Sequence, residues 1–282
     1  MKILVTGASG GYGNYAINYL KQYADKNDKI IGLVRNEQKA QILKDNNIDY
    51  RIGDYDDINS LNAAFDDIDR LLFVSVPNFS LQQNVVKAIE QSNINYVAYT
   101  SIYAPDKNKL GLEQNHLNTE NLIKKTGIDH TFLRDNWYLE IIAPFLKGAS
   151  DAGKLDYYSG DKKISWALKR EYAEAGAKVI LNKNENEILN LSGNPVTLKD
   201  LGQFTAKAMN KNIEIDEVTK DEFGKYLNNI NISSLGTMIA NTYQDYAING
   251  DNGEDEANSK TFEKVLGHPL TPLDKDISEL LK

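Results

Sequence analysis

The chain has 282 residues, a formal net charge of −8, 41% apolar residues and no cysteine. This is about the length at which one core gives way to two; without cysteine there are no disulfides, thiolate nucleophiles or Cys-ligated metal sites, and His116, His130 and His268 are too few to suggest a metal centre. The acidic balance and the lack of a Lys/Arg cluster argue against a nucleic-acid partner, which needs a concentrated basic face.

In chain order, Lys2–Thr6 (KILVT) is a β-branched run ended by glycines, which predicts a buried strand. Gly13–Ala24 carries apolar residues at Tyr15, Ala16, Tyr19, Leu20 and Tyr23, a helical stripe. Further strands are predicted at Lys29–Val34, Asp49–Ile52, Arg70–Val74, Tyr96–Thr100 and His130–Arg134. Helices fit between them at Glu37–Asp45, Ile58–Phe65, Ser80–Ser92 and Glu113–Thr126. Strands separated by helices in this way predict an α/β fold: a Rossmann-type doubly wound parallel sheet with helices on both faces.

After Trp137 the rhythm changes. A helix is predicted at Tyr138–Lys147, then Gly/Asp/Tyr-rich connections over Ser150–Lys162, a helix at Glu171–Leu181 and a strand at Glu187–Leu191. Later helices fit Leu198–Met209, Asp221–Asn228 and Ser233–Ile248, with Ile213–Val218 between the first two. The acidic, glycine-containing stretch Asn249–Asn258 reads as a mobile loop. The expected division is a nucleotide-binding domain over residues 1–147, with a return segment near 164–181. A smaller α+β lobe over 148–282 would cover the carboxyl ends of the strands, where open α/β sheets bind ligands. No apolar run reaches the roughly 18 residues that suggest a membrane span, and no leader-like segment opens the chain. The expectation is a soluble, cytoplasmic protein.

The turn Gly7-Ala8-Ser9-Gly10-Gly11-Tyr12-Gly13 lies between the first strand and the first helix. Unpaired N–H groups at such a helix start, reinforced by its dipole, bind a pyrophosphate. Gly7 permits the tight turn, Gly10 lets phosphate approach the backbone, and Gly13 permits close helix–strand packing. The spacing is GxxGxxG rather than GxGxxG. Arg35 refines the cofactor. NAD sites typically carry an acid at the end of the second strand, whereas this strand ends Val34-Arg35-Asn36. A guanidinium there can pair with a 2′-phosphate, so NADP(H) is expected over NAD(H), with Glu37 as a nearby competing acid. Asp54, after the third strand, either accepts from the adenine amine or is a simple turn aspartate.

TGASGGYG, LVRN after the second strand, GDYDD after the third, AYTSIYA, HLNTENL, LRDNWYLE and the late GHPLTPL together resemble the NmrA-like, atypical short-chain dehydrogenases. Within that family the order of motifs is most similar to the bacterial NAD(P)H:quinone oxidoreductase type 2 group, over essentially the whole chain. The resemblance implies a Rossmann domain with a small C-terminal lobe, NADPH bound in the cleft, and reduction of quinones. It places the phosphate loop at Gly7–Tyr12 and Arg35 at the 2′-phosphate. Ser75, Val76 and Pro77 fall on the stretch lining the riboses. Asp135, Asn136, Trp137 and Tyr138 fall on the stretch that holds the nicotinamide, closed by Glu140, with Glu171 in reach or merely starting a helix. Related sequences usually read Asn-Gly or a proline where this chain has Asp135-Asn136. The partners implied are a quinone-like small molecule and, at most, a second copy in a homodimer.

Ordinary short-chain dehydrogenases use Tyr-x-x-x-Lys on the fifth helix, with a glutamate following. Anchoring on Glu120 puts His116 at the lysine position and Leu112 at the tyrosine position. The proton-donating tyrosine is absent from its place. Tyr103 and Lys107 have the right spacing but lie just after the fifth strand, and Pro105 breaks the helical turn they would need. His116 is the candidate catalytic group, since an unperturbed imidazole transfers protons near neutrality; the alternative is a helix-stabilising pair with Glu120 at i+4. Loss of the tyrosine suits quinone reduction, because the product is a phenolate whose parent has a pKa near 10, not a strongly basic alkoxide. Such chemistry needs a flat apolar slot, for which Phe79, Tyr103, Trp137, Tyr138 and Trp166 are candidates. The main alternative function is a non-catalytic redox sensor of NmrA type, which binds NADP(H) and a protein partner. An epimerase-like enzyme is disfavoured because that chemistry relies on the tyrosine replaced by Leu112.

Overall fold

Strands alternate with helices through the first half of the chain. In order these are β1 (Lys2–Val5), α1 (Gly11–Tyr23), β2 (Lys29–Val34), α2 (Glu37–Asp45), β3 (Asp49–Ile52) and α3 (Ile58–Phe65). There follow β4 (Arg70–Phe73), α4 (Phe79–Glu90), β5 (Tyr96–Ile102), α5 (Glu113–Thr126) and β6 (Asp129–Asp135). These elements come from a computed structural model, which describes residues 1–109 and 111–282. The side chains of Asn36, Asp57 and Asn78 accept backbone N–H groups of α2, α3 and α4, each satisfying one of the orphan donors of a helix start.

The described residues divide into two units, the first comprising Met1–Asp135, Arg170–Leu191 and Lys264–Gly267. Its seven-stranded sheet runs β10-β6-β5-β4-β1-β2-β3, where β10 is Ile188–Leu191, and the strand pairs are parallel. The order reverses between β1 and β4, the topological switch point at which open α/β sheets take ligands. Leu4, Phe73, Val97, Tyr99 and Phe132 from the strands pack with Leu61, Phe65, Val85, Ile89 and Ile123 from α3, α4 and α5 in one buried cluster. The long α7 (Lys169–Asn182) supplies the helix that leads to β10.

The second unit comprises Asn136–Lys169, Ser192–Glu263 and His268–Lys282. It contains β7 (Trp137–Tyr138), α6 (Ala143–Ala152), β8 (Lys154–Tyr157), β9 (Lys163–Ala167) and β11 (Pro195–Thr197). Further along lie α8 (Leu198–Met209), β12 (Glu214–Glu217), α9 (Lys220–Leu227), α10 (Ser234–Asn249) and α12 (Leu273–Leu281), and the start of α11 (Lys260–Leu266), whose residues from Lys264 on count with the first unit. Two small sheets, β11-β9-β7 and β12-β8, make it an α+β unit. Capping boxes at Thr197/Asp200 and Thr219/Glu222 start α8 and α9.

Here the structure differs from the reading of the sequence in three places. The helix expected at Tyr138–Lys147 begins only at Ala143, with Pro144 in its first turn, because Trp137 and Tyr138 pair with Trp166 and Ala167 of β9. That pairing draws residues 136–147 into the second unit. Ser150–Lys162, expected as connections, holds the end of α6 and all of β8. Asn249–Asn258 is not a mobile loop: Asn252, Gly253 and Glu254 are buried, and residues 254–256 form a 3-10 turn. Among the described residues no helix is long and apolar enough to cross a membrane.

Candidate functional site

The glycine turn connects β1 to α1 at the switch point. Gly7 has φ = +60°, a conformation that glycine adopts without strain, and the Gly10 N–H closes the turn on the Gly7 carbonyl at 2.9 Å. A Cβ on Gly13 would lie 2.3 Å from the Gly7 oxygen, so this residue lets α1 sit directly against the loop. Thr6 ties the loop to the end of β4, its Oγ1 accepting the Val74 N–H at 2.8 Å. Unlike α2, α3 and α4, α1 has no side-chain cap. The N–H groups of its first turn are therefore available to an anion.

Tyr12 plays a different part from the one its place in the motif suggests. Its side chain is buried and its hydroxyl donates to the Tyr172 carbonyl of α7 at 3.0 Å. Burial, with Asp135 and Tyr172 adding to it, pushes this phenol well above its ordinary value. A Cβ on Gly176 would stand 2.5 Å from the same hydroxyl, so α7 carries glycine where Tyr12 reaches it. Only the Tyr12 backbone remains for the anion. Tyr12→Phe is expected to cost about 1 kcal/mol in urea melts, the net worth of one buried hydrogen bond.

A cavity of about 230 Å³ opens beside the turn, lined by Gly7, Ser9, Leu33, Val34, Arg35, Lys39, Asp54, Tyr55, Val76 and Leu81 among others. Its walls are apolar and its rim carries two exposed cations, Arg35 and Lys39. Neither has a carboxylate partner among the described residues. Glu37, the acid between them, accepts from Lys44 Nζ at 2.7 Å and from the Tyr50 hydroxyl at 3.1 Å. Those exposed contacts hold its carboxyl below the usual range. The arrangement suits a flat heterocycle against the apolar wall, a diphosphate at α1 and a further phosphate between Arg35 and Lys39. Asp54 lines the cavity, yet its Oδ1 accepts the Asp56 N–H at 3.1 Å, as a turn aspartate does.

Ser75 follows β4, where its hydroxyl accepts from Thr100 Oγ1 at 3.0 Å and its N–H donates to the same oxygen at 2.8 Å. Val76 faces the cavity, and the Pro77 carbonyl accepts from Asn115 Nδ2 at 2.8 Å. Phe79 is half-buried at the start of α4. Tyr103 is buried, and its N–H donates to the Asp135 carbonyl at 2.9 Å. Residues 103–107 form a turn with Ala104 at φ = +43°, so the Tyr103/Lys107 spacing does not become a helical pair. Glu171 is buried in the first turn of α7.

In the second unit, Glu140 accepts the Lys169 N–H at 3.0 and 3.1 Å; its carboxylate serves a helix start. Lys169 Nζ lies over the Tyr138 ring at 5.3 Å. Trp137 and Trp166 both meet Tyr243 edge-on at 4.9 Å. Trp166 is 2% exposed and belongs to the core of the unit rather than to an open slot.

His116 does not pair with Glu120. Arg134 takes Glu120 by two parallel contacts at 2.9 and 2.7 Å, and Ser101 donates to the same carboxylate at 2.6 Å. A bidentate guanidinium outcompetes an imidazole for that carboxylate. His116 Nδ1 instead meets the Tyr99 hydroxyl at 3.1 Å, and burial lowers its pKa to about 4. It is neutral at pH 7 and does not supply the proton expected of a cationic donor at that position. Lys39, Tyr55 and Leu81 were missed in the sequence. Lys39 had one signal, its place four residues beyond Arg35.

The NmrA-like family model matches residues 1–272. The chain belongs to the NmrA-like family. Quinone oxidoreductase 2 of Escherichia coli (strain K12) is 31% identical over 285 residues, covering 99% of this chain and 98% of that protein. The crystal structure of the NADPH-dependent quinone oxidoreductase from E. coli complexed with NADPH superposes with a TM-score of 0.85, at 30% identity over 99% of this chain and 100% of that one. The Citrobacter sp. triphenylmethane reductase complexed with NADP(H) superposes with a TM-score of 0.87, at 29% identity over the full length of both chains. The NmrA-like chain thus matches its relatives from end to end, through both units.

Proposed function

We propose that this protein is an NADPH-dependent reductase that passes hydride to a quinone-like acceptor. The observation that carries the cofactor half is the pair of cations, Arg35 and Lys39, that have no carboxylate partner among the described residues and stand on the cavity beside the uncapped start of α1. A nicotinamide nucleotide without a 2′-phosphate offers those cations ribose hydroxyls but no anion to pair with. The E. coli relative, complexed with NADPH, and the Citrobacter relative, complexed with NADP(H), support the same choice.

The acceptor half rests on the chemistry left to the site. Leu112 stands where a proton-donating tyrosine is usual and is 42% exposed, while His116 is neutral. Reduced nicotinamide supplies a hydride when bound. A quinone that takes it becomes an aromatic phenolate near pKa 10, which tolerates protonation from water. The chain's work is then to bind, orient and keep the two rings in contact. In this reading the stretch Asp135–Tyr138, which leaves β6, holds the nicotinamide end. His116→Ala is expected to leave kcat for a benzoquinone within about threefold of the wild type, because a neutral imidazole gives little acid catalysis. A loss above a hundredfold would put the proton donor back on His116.

A further inference from the structure

The turn after α10 was expected to be mobile, yet it carries a buried carboxylate, that of Glu254, bonded to several donors. Glu254 is 2% exposed. Its Oε2 accepts the Ser165 N–H at 2.9 Å, the Ser165 hydroxyl at 2.7 Å and Asn136 Nδ2 at 3.3 Å. Its Oε1 lies 3.5 Å from the Tyr246 hydroxyl. Asn136 Nδ2 also donates to Ser192 Oγ at 3.0 Å, and Asn136 Oδ1 accepts the Trp137 N–H at 3.0 Å. The Tyr246 hydroxyl also donates to the Asn252 carbonyl at 3.2 Å, and its ring stands edge-on to Trp137 at 5.2 Å. One carboxylate therefore gathers β9, α10 and the residue between β6 and β7. Through Asn136 it sets the backbone of Trp137.

A buried carboxylate surrounded by neutral donors is costly for a fold, and an apolar residue of similar volume is usually the cheaper filler. We propose that Glu254 is a positioning residue for the electron acceptor: through Asn136 it holds Trp137 in the setting that receives the acceptor ring, a role that rests on reading Asp135–Tyr138 as the nicotinamide-holding stretch. Among the described residues, the hydrogen bonds to the Glu254 carboxylate run from donor to carboxylate. Protonation removes negative charge from the acceptor of every one of them and so loosens Asn136. Burial pushes this carboxyl up to about 7, against the hydrogen bonds from Ser165, Asn136 and Tyr246 that favour its ionised form. The titratable group these bonds bring to it is Tyr246. Asp255 and Glu256 beside it on the turn, and Lys163 on β9, are exposed.

The two tryptophans of the chain, Trp137 and Trp166, both adjoin this network, so their emission reads it without any ligand. Wild-type emission should titrate with a midpoint near 7, stay flat in Glu254→Gln, and shift to higher pH in Ser165→Ala, which deletes a donor to the carboxylate. With NADPH and a soluble naphthoquinone, the acceptor KM should rise by about tenfold as pH falls through that midpoint, the worth of one charge-assisted bond. NADPH affinity should change much less, and Glu254→Gln should show the high KM at every pH. An emission titration that persists in Glu254→Gln overturns the clamp; a flat acceptor KM alongside a titrating emission overturns its role in positioning. No acceptor turnover by the wild type at any pH would instead sink the reading of the site and the acceptor role with it, while the emission still judges the clamp.

Discussion

Binding of NADPH to the Arg35→Ala/Lys39→Ala double variant should weaken by about a hundredfold, while NADH changes by less than about threefold. A hydrogen bond to a charged group contributes about 1.5–3 kcal/mol when sheltered, and both cations here are exposed, so the low end applies to each. Two such losses give about 3 kcal/mol, or roughly a hundredfold in Kd. Each single variant should lose about tenfold. Raising ionic strength should narrow the gap between the two cofactors in the wild type, since the pairing is screened. Glu37 sharpens the test: its carboxylate is held by Lys44 and Tyr50, so Lys44→Ala should release it towards the phosphate and weaken NADPH selectively. Isothermal titration with both cofactors checks all four variants. Equal losses for NADPH and NADH would remove Arg35 and Lys39 from the 2′-phosphate.

Gly13→Ala should be the most damaging single methyl in the first unit. Its Cβ would stand 2.3 Å from the Gly7 oxygen, 2.7 Å from the Gly7 carbonyl carbon and 2.9 Å from the Ala8 Cα. All three are backbone atoms of the turn, so no side chain can swing aside. Either α1 backs away from β1 or the turn opens, and each costs packing on the order of 3 kcal/mol or more. Urea denaturation should show that loss together with failure to bind NADPH. Gly224→Ala is the matched control. Gly224 lies inside α9 with nothing within 4 Å of an added Cβ, so alanine there should raise stability by about 0.5–1 kcal/mol. Similar effects at both positions would mean that close approach at the turn is not what Gly13 provides.

The first unit was legible because central strands such as β1 (KILV) and β2 (KIIGLV) are apolar runs, as a parallel sheet buried on both faces requires, and α2, α3 and α4 announce themselves with Asn and Asp caps. In the second unit the helices α8, α9 and α10 were legible, and the small strands were not. Its strands β7 and β11 are two and three residues long, too short for any period to show. The acidic stretch 249–258 has the composition of a solvated loop, and only three-dimensional contacts reveal that Ser165 and Asn136 bury Glu254. At the site, the glycine turn and Arg35 stood out by motif and position, whereas Lys39, a lysine within a predicted helix, carries no motif that singles it out. His116 shows the limit of helical spacing. Position i+4 predicts a neighbour in Glu120, but not the Arg134 guanidinium from the adjoining strand that takes it.

The most direct test is NADPH consumption by the purified protein with a panel of benzoquinones and naphthoquinones, run in parallel with NADH. A reductase of the kind proposed will oxidise NADPH with at least one quinone in a saturable reaction, and will favour NADPH over NADH by about tenfold or more, as a 2′-phosphate held by cations requires. Tight NADPH binding with no oxidation by any acceptor would contradict it and leave a protein that senses the cofactor without turning it over.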